Sequence, residues 1–420
     1  MRTLLRVSLC RMSLDRVTRG RVRLGSVMLL VAGAILIAPP PAYAQLPGVP
    51  PVQAGMRATF YSSSASVRGS LQQAVLKPNC DPSKEDCWTD PSGRTIGLDD
   101  VPTASGQGYT NVDILYLDGQ TCVMRFTAYT LDPADGRVVT AASGGEVTTG
   151  GSCSDYWINP AQLLQMPPQS TSTVRVLRGP YTVGTITVDA ITIASSTSGG
   201  TNNSSYDTGT GLLVVASSRS QGGAVPTIQN NTIVAGAGGS LLTYTQVLNA
   251  RLMPGIGAVE GLPSHVLNAN RMVYDCSQLT QVMGVGAIET PCRLEVRLGQ
   301  RTDMWLMANA LQSMPDAIGT FTTTESAHVI AATGHGGYYA APSLLAGLQA
   351  GTVLDVDPVT GIRTTVTGVD DTAVMILEES NAERKTLVYD RRSGWLLQYV
   401  LEQHLPTGSF TTRYSLAGVE

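Results

Sequence analysis

The chain carries one sequence pattern twice, at a spacing of about 180 residues. The matching segments are 117–120 with 298–300, 156–164 with 338–345, and 206–213 with 389–396. Within them a glycine, a proline and a second glycine recur after 180, 182 and 183 residues. A repeat of this length is typical of a duplicated domain and not of a solenoid, whose units are much shorter.

A recurring turn indicates what each copy is made of. An aspartate is followed by a glycine at 132–136, 357–361 and 390–394, each time between runs of alternating polarity. The aspartate can cap such a turn and the glycine can take a positive φ, which is typical of β-hairpins. The sequence therefore predicts a mainly β fold. We expect two homologous antiparallel β-rich modules, 45–250 and 251–420, each a curved sheet or half-barrel with a short helix.

The individual elements follow this division. In the second module, strands are predicted at 352–357, 362–367, 373–378, 386–389, 395–403 and 409–416, and in the first at 174–177, 182–188, 191–194 and 212–216. The polar stretches 195–205 and 217–223 are predicted to be loops. One short helix is predicted in each module, at 161–166 and at 342–349. The segment 304–311 has helical propensity, but its repeat partner 122–129 favours a strand, and we predict strands for both.

The first 44 residues have the three parts of a secretory signal peptide. Seven arginines precede the apolar stretch 27–38, and Ala42-Tyr43-Ala44 forms a small-residue cleavage site. We expect cleavage near Ala44, export to the periplasm or the medium, no lipid anchor and no transmembrane segment in the mature chain. An uncleaved membrane anchor is the alternative. Removing seven arginines and one aspartate changes the formal net charge from −4 to −10, which disfavours nucleic acid and anionic membranes as partners.

Six cysteines remain after the leader, and an even number in an exported chain indicates disulfides. Local pairing is the simplest arrangement and joins neighbours in the sequence. The expected pairs are Cys80–Cys87, Cys122–Cys153 and Cys276–Cys292. The first would tie an insertion at about 76–105 in the first module. A metal site is disfavoured because the chain has no CxxC or Cys–His spacing.

The repeated aromatic pairs are the best candidates for ligand contacts. Tyr156 and Trp157 in the first module correspond to Tyr338 and Tyr339 in the second. Aromatic faces on a β-scaffold can stack on a sugar or line an apolar groove. The alternative is that one ring of each pair packs into the core while the other caps the edge of the sheet.

Other residues carry weaker signals for chemistry. No catalytic motif is present, and no residue is predicted to be catalytic. His328 and His335 could serve as a general base or metal ligands, but ordinary strand and loop positions are favoured. The acidic pairs 355/357, 370/371 and 378/379 could bind calcium or act as an acid–base couple, but turn capping for two of the pairs and a solvated edge for 378/379 are favoured. We expect no metal and no cofactor.

Three classes of function remain open. The first is a non-catalytic exported binding or interaction protein of the cell envelope, whose partner is an envelope protein, another envelope component or a second copy of the chain. The second is a carrier of a lipid or other apolar ligand in a β-groove. The closing hairpin, 389–403 with 410–416, resembles the last strands of periplasmic lipoprotein-carrier half-barrels, a resemblance that assigns no binding residues. The third is an enzyme with a site in the cleft between the modules, to which His335 or the acidic pairs would contribute.

Overall fold

The two copies of the repeat form two ten-stranded antiparallel sheets, as predicted. The computed structural model describes residues 49–67, 75–76, 88–89, 103–132, 135–183, 186–197, 200–229, 232–253, 261–284, 286–315, 321–405 and 408–420. The predicted leader, the Cys80–Cys87 pair and most of the 76–105 insertion lie outside the described residues. We call the first sheet and its helix module 1, and the second sheet and its helices module 2.

The elements of module 1 are mainly strands. They are β1 (Met56–Val67), β2 (Val75–Leu76), β3 (Trp88–Thr89), β4 (Thr103–Leu117), β5 (Thr121–Leu131), β6 (Val138–Thr149), β7 (Ser152–Cys153), β8 (Trp157–Ile158), α1 (Pro160–Gln165), β9 (Gln169–Ser170), β10 (Val174–Val183), β11 (Ile186–Thr197), β12 (Gly200–Asp207), β13 (Leu213–Gln229) and β14 (Thr232–Leu252).

Module 2 follows the same course. Its elements are α2 (Ser264–Leu267), β15 (Arg271–Val282), β16 (Gly286–Arg301), β17 (Trp305–Pro315), β18 (Phe321–Ala331), α3 (Pro342–Ala346), β19 (Val353–Val356), β20 (Arg363–Val369), β21 (Ala373–Glu379), β22 (Glu383–Asp390), β23 (Leu396–Leu405) and β24 (Gly408–Val419).

The two sheets have the same topology. The strand order is β6-β5-β4-β1-β14-β13-β12-β11-β10-β9 in module 1 and β18-β17-β16-β15-β24-β23-β22-β21-β20-β19 in module 2. In each module the first strand pairs with the last. The chain leaves one edge of the sheet, passes through a short helix and returns at the far edge. The duplication inferred from the sequence is therefore present in the topology.

The anchors of the repeat occupy equivalent positions. Trp157 forms an isolated bridge with Leu212, and Tyr339 forms the same bridge with Trp395. Each bridge joins the segment before the short helix to the strand after an Asp-to-Gly turn. The repeated residues therefore fix how the crossover segment is attached to the sheet.

The Asp-to-Gly turns form as predicted, and a fourth occurs at 207–211. In each turn the amide of the glycine donates to the carbonyl of the aspartate, as Gly394 does to Asp390 at 2.9 Å. The glycine has positive φ in all four, between 71° and 80°. An L side chain at that position would be strained, because it would crowd the following carbonyl oxygen.

Each sheet has one apolar face, which we call its inner face. In module 1 it carries Met56, Phe60, Ile114 and Met124, all at 3% exposure or less. In module 2 it carries two adjoining clusters, centred on Tyr274 and on Tyr389. The short helices α1 and α3 close one end of these faces through the buried side chains of Leu163 and Leu345.

The modules meet through corresponding strands. Leu115 and Val123 of module 1 pack with Trp305, Val329 and Ala331 of module 2. These side chains lie on the outer faces of the strand pairs β4–β5 and β17–β18. The backbones of β6 and β18 also approach each other closely at this contact. A Cβ on Gly145 of β6 would lie only 2.6 Å from the amide nitrogen of Val329 in β18.

The observed strands confirm one local prediction made from the sequence and show that others are wrong. The strand predicted over 304–311 is confirmed by β17, so the repeat was a better guide than helix propensity. The loops predicted at 195–205 and 217–223 are wrong, because residues 195–197, 200–205 and 217–223 form parts of β11, β12 and β13. Their serines and threonines are held by ladder bonds and by hydroxyl contacts such as Thr192–Ser205 at 2.8 Å. The strand predicted at 182–188 is also wrong, since β10 ends and β11 begins within it.

Candidate functional site

The aromatic pair of module 1 lies at the crossover. Trp157 is 5% exposed, and its indole Nε1 donates to the carbonyl of Thr210 at 2.7 Å. The neighbouring ring of Tyr156 is half-buried and packs on Phe60 with ring centroids 4.9 Å apart. Burial raises the pKa of Tyr156 to about 12, so its hydroxyl stays neutral.

The pair of module 2 is placed in the same way. Tyr339 is 4% exposed and packs edge-to-face on Trp395, with centroids 5.7 Å apart. Tyr338 is half-buried and bridges the two core clusters of its module. Its ring contacts Tyr274 and His328, at centroid distances of 5.9 Å and 5.3 Å. The two pairs lie in different modules and are not brought together in one site.

Tyr338 does have aromatic neighbours that the sequence analysis did not single out. Tyr399 of β23 and Tyr414 of β24 pair directly across the hairpin, and their rings stack with centroids 5.1 Å apart. Both are half-buried and pack at the margins of the two core clusters, as Tyr338 does. One signal could have found them, since Tyr399 and Tyr414 are equally far from Leu405 and Gly408, which end the paired strands, and so face each other in the hairpin.

The strand register shows which inner-face residues adjoin these tyrosines in the direction of the β15–β16 and β23–β24 hairpin ends. Cross-strand pairs place Tyr399, Tyr414, Cys276 and Cys292 in one row of the inner face. The next rows hold Leu401 with Thr412, and then Gln403 with Phe410. We call the inner-face residues Tyr338, Tyr399, Leu401, Phe410 and Tyr414 the tyrosine face.

The tyrosine hydroxyls of the tyrosine face differ from those of the adjoining core in their hydrogen bonding. In the core, Tyr274 Oη donates to the carbonyl of Leu396 at 3.0 Å, and Tyr389 Oη donates to that of Gly337 at 2.9 Å. Within the described part of the chain, the hydroxyls of Tyr338, Tyr399 and Tyr414 have no such partner. Burial raises the pKa of Tyr414 to about 12 and also raises that of Tyr338 and Tyr399. The face therefore presents neutral rings with hydroxyl groups available for hydrogen bonds.

Module 1 closes one side of this face. Glu383, at the start of β22, accepts hydrogen bonds from the amide and the hydroxyl of Thr140, both at 2.6 Å. Gln403 donates to the carbonyl of Thr140 and to Glu383, both at 2.9 Å. The start of β6 is thereby fixed against the polar margin of the module 2 inner face.

A second group of polar residues lies between the modules. Arg57 and Asp113 of module 1 form a bidentate ion pair, and Arg125 Nη2 donates to Asp113 at 2.7 Å. Asp355 of module 2 accepts from Arg251 at 2.8 Å and from Arg57 at 3.4 Å. We call this group the inter-module charge cluster. It consists of Arg57, Asp113, Arg125, Arg251, His335, Asp355, Asp357, Glu378 and Lys385.

The charges of this cluster balance. Four carboxylates face three arginines and one lysine, and burial lowers the pKa of His335 to about 4, which leaves the imidazole neutral near pH 7. Burial opposes ionisation of Asp113, but Arg57 and Arg125 outweigh it and hold the pKa of that carboxyl well below its usual range. Lys385 likewise outweighs burial and lowers the pKa of Glu378.

The free space within the cluster is small. It amounts to ≈ 30 Å³, room for about two water molecules, and is lined by Arg57, Asp113, His335 and Lys385 among others. A balanced, closely paired group around so little space is suited to holding the modules together. The cleft named in the third class of function is thus where His335, Asp355, Asp357 and Glu378 meet.

The remaining sequence candidates lie apart. Asp370 caps a turn, accepting from the amides of Thr372 at 2.7 Å and Ala373 at 2.8 Å. Asp357 does the same for Val359 and Thr360 in addition to its place in the charge cluster. His328 lies on the tyrosine side of β18, and burial lowers its pKa to about 4. Among the described residues, no group of three or more His, Cys, Asp or Glu side chains is placed to hold a metal ion.

Two of the expected disulfides are present. Cys122–Cys153 is buried in the module 1 core, while Cys276–Cys292 crosses from β15 to β16 on the module 2 inner face. Two disulfides fit a protein exported to an oxidising compartment. No helix in the described part of the chain combines the length and apolar character needed to cross a bilayer.

Comparison with known proteins adds little. No protein-family model matches the chain, and no curated protein matches it. The chain is similar to a candidate AttH protein from Nitrosomonas europaea, at 9% identity over 90% of this chain and 98% of that one, with a TM-score of 0.13. It is also similar to a protein of unknown function from the DUF3598 family of Nostoc punctiforme, at 9% identity over 85% and 94% of the two chains, with a TM-score of 0.13.

Proposed function

We propose that this chain is an exported, non-catalytic binding protein that carries an uncharged apolar ligand on the tyrosine face of module 2. The observation that supports this is the change of character along one sheet face. On the side of Tyr399 and Tyr414 that faces away from the β23–β24 hairpin end, core side chains cover the inner face, and the tyrosine hydroxyls there are hydrogen-bonded. Towards the β23–β24 hairpin end, Leu401 and Phe410 are half-exposed beside the buried Thr412. Apolar surface next to a core, with a few polar groups, is typical of a small-molecule site.

The chemistry of the face favours an uncharged ligand. The raised pKa values of Tyr338, Tyr399 and Tyr414 keep all three neutral. The nearest ionised side chains, Lys385 and Glu383, already have partners. A ligand charge placed here would be buried without a counter-ion, which is costly. Flat aromatic or polyene-like groups would stack on the tyrosines, and one ligand oxygen could meet their hydroxyls.

The four aromatic residues singled out in the sequence receive different roles in this proposal. Tyr338 touches the ligand, because its ring borders Tyr399 and Tyr414 on the half-exposed part of the face. Trp157 and Tyr339 hold the crossover segments through their bridges and do not reach the ligand. Tyr156 is the counterpart of Tyr338 in module 1, where it packs on Phe60 of the core.

The test uses an uncharged fluorescent probe, N-phenyl-1-naphthylamine, titrated into the exported protein. We expect its fluorescence to rise with saturation, and Tyr399→Ala to weaken binding about tenfold or more, since each lost aromatic contact removes on the order of 1.5 kcal/mol. Tyr399→Phe should bind almost normally because the stacking ring remains.

Tyr181→Ala is the matched control. Tyr181 is also half-buried but belongs to a cluster of module 1, so its removal should leave probe binding unchanged. The proposal is wrong if the wild-type protein does not bind the probe and carries no solvent-extractable molecule by native mass spectrometry. It is also wrong if Tyr399→Ala and Tyr181→Ala bind as tightly as the wild type.

A further inference from the structure

One strand of module 1, β6, lies against two separate parts of module 2. At its start, the amide and the hydroxyl of Thr140 donate to Glu383 of β22, and its carbonyl accepts from Gln403 of β23. Further along, β6 runs so close to β18 that a Cβ on Gly145 would lie 2.6 Å from the amide nitrogen of Val329. A single strand therefore contacts both β18 and the pair β22–β23.

These two contacts show that the module 2 sheet is curled. In the order β18-β17-β16-β15-β24-β23-β22, the two contacted parts are separated by most of the sheet. Six steps between neighbouring strands correspond to about 29 Å in a flat sheet, whereas residues 140 and 145 of one strand are only about 17 Å apart. The sheet therefore curves towards β6, and β6 bridges the opening between the edge strand β18 and the strands β22 and β23.

The tyrosine face lies on the part of the sheet that β6 bridges. Four of its five residues belong to β23 and β24, which come between β22 and β18 in the strand order. The fifth, Tyr338, packs edge-on against His328 of β18 with ring centroids 5.3 Å apart. Gln403, which bonds to Thr140, pairs with Phe410 of the tyrosine face. The start of β6 is therefore held directly beside the ligand surface.

Module 1 also covers the adjoining part of the same inner face. Leu401 of the tyrosine face pairs with Lys385 of β22. The same cross-strand row continues to Glu378 and Thr364. Together with Arg125 of module 1, these residues line the small free space in the inter-module charge cluster. The charge cluster is thus the covered continuation of the row that begins in the tyrosine face.

The contact between β6 and module 2 can open without unfolding either sheet. β6 and β18 are the end strands of their sheets, and among the described strands no ladder joins them. Each keeps its own ladder, β6 with β5 and β18 with β17. At Thr140 the contact consists of hydrogen bonds to two side chains. Elements held in this way are typical of lids, which part from their site while the fold stays intact.

We propose that module 1 is a lid on the tyrosine face, and that the ligand enters and leaves when β6 parts from β18 and from Glu383. This inference rests on the proposed function, because it concerns the exchange of the same ligand. A lid that is closed in both the empty and the loaded protein limits binding and release equally, so that its loosening changes both rates and not the affinity. A residue that touches the ligand changes the affinity instead.

The test is stopped-flow kinetics with N-phenyl-1-naphthylamine on two lid variants. Thr140→Val removes the hydroxyl that donates to Glu383, and Gly145→Ala forces β6 away from Val329. We expect both variants to bind and to release the probe about tenfold faster than the wild type, the scale of one hydrogen bond to a charged group. Their dissociation constants should stay within about twofold of the wild-type value, because the lid does not favour either state.

Thr182→Val and Gly179→Ala are the matched controls. Thr182 shares a hydrogen bond with Thr187 at 2.9 Å in the β10–β11 ladder, and a Cβ on Gly179 of β10 would meet nothing within 4 Å. Both controls should exchange the probe at the wild-type rates. The lid is overturned if the lid variants, shown to be folded by thermal unfolding, exchange the probe as slowly as the controls. It is also overturned if only release becomes faster, since β6 would then contribute to affinity and not to access.

A second measurement needs no ligand. The bridge Cys276–Cys292 lies on the inner face in the row of Tyr414, so dithiothreitol should reduce it faster in Thr140→Val and Gly145→Ala than in the wild type and the controls. If the wild type does not bind the probe, the proposed function is wrong, and this rate decides the lid separately. Equal rates of reduction in all variants would then reject the lid as well, whereas faster reduction in the two lid variants would support it.

Discussion

Arg57 and Asp113 join neighbouring strands of module 1 by two charge-assisted hydrogen bonds, Nε to Oδ1 at 2.6 Å and Nη2 to Oδ2 at 3.0 Å. The pair lies on the outer face of the β1–β4 ladder, the side that module 2 covers. Asp355 and Asp357 of module 2 approach the same guanidinium at 3.4 Å and 3.6 Å. An ion pair so little exposed depends on the other module for its environment, which couples the stability of the two modules.

Asp113→Asn should therefore be strongly destabilising. It leaves Arg57 and Arg125 buried beside a neutral amide, and removal of one partner of a buried ion pair costs about 3–5 kcal/mol. Urea unfolding followed by circular dichroism measures the change.

The matched control is Glu295→Gln. Glu295 occupies the equivalent position in module 2, where Val296 pairs with Met272 as Ile114 pairs with Met56. Its partner Arg297 is exposed to solvent, so the loss should be about 0–1 kcal/mol. Equal losses for the two variants would contradict a structural role for the inter-module charge cluster.

Stability should fall as the solution is acidified from neutral pH. Burial lowers the pKa of both His328 and His335 from 6.5 to about 4. Between those values the unfolded chain binds protons that the folded chain does not, so each histidine removes stability as the pH falls from about 6.5 to about 4. The upper limit is about 3 kcal/mol for each residue.

Urea unfolding at a series of pH values tests this dependence. His335→Gln should flatten the curve between pH 6.5 and 4, because the unfolded variant lacks one group that binds a proton in that range. Equal slopes in the wild type and in His335→Gln would show that His335 binds protons equally in the folded and the unfolded chain, and the prediction would be wrong.

The Asp-to-Gly turns should differ in their tolerance of a methyl group. At Gly361 a Cβ would meet nothing within 4 Å, so alanine would cost only the left-handed backbone strain of about 1 kcal/mol. At Gly394 a Cβ would lie 2.3 Å from the carbonyl oxygen of Ala340, and the crossover segment would have to move. We expect Gly394→Ala to cost about 3 kcal/mol or more in thermal unfolding. Similar losses for both alanines would mean that the crossover segment adapts freely.

These turns also show what the sequence could predict. An aspartate and a glycine that define a hairpin lie within five residues, so local chemistry determines the outcome. The pairing of Tyr399 with Tyr414 is of the same kind, because β23 and β24 are consecutive strands whose ends pair at Leu405 and Gly408. The repeat adds to such local signals. The strand-like composition of 122–129 correctly predicted that its repeat partner, 304–311, is also a strand.

The inter-module charge cluster could not be predicted in this way. Arg57 and Asp355 are separated by 298 residues and lie in different modules. Nothing in the periodicity of either strand indicates that the outer face of β1 is covered. The acidic pair 355/357 fits a turn cap equally well, and Asp357 does cap its turn. Asp357 also accepts a hydrogen bond from the side-chain amide of Asn111 at 3.0 Å, and this second contact depends on how the two modules pack.

The two disulfides should differ in their resistance to reduction. Cys122 and Cys153 are 1% and 0% exposed within the module 1 core, whereas Cys292 is half-exposed beside the tyrosine face. Thiol–disulfide exchange requires the attacking thiolate to reach a sulfur atom. Dithiothreitol under native conditions should therefore open Cys276–Cys292 first, as measured by alkylation and peptide mass spectrometry.

Reduction of Cys276–Cys292 should also report on the ligand site. Cys276 pairs with Tyr414, so the bridge lies in the same row of the inner face as the stacked tyrosines. We expect the reduced protein to remain folded, because β15 and β16 stay hydrogen-bonded along their length. Its affinity for N-phenyl-1-naphthylamine should drop, since the row loses its cross-strand constraint. Unchanged affinity after complete reduction of this bridge would place the ligand away from that row, nearer to Phe410.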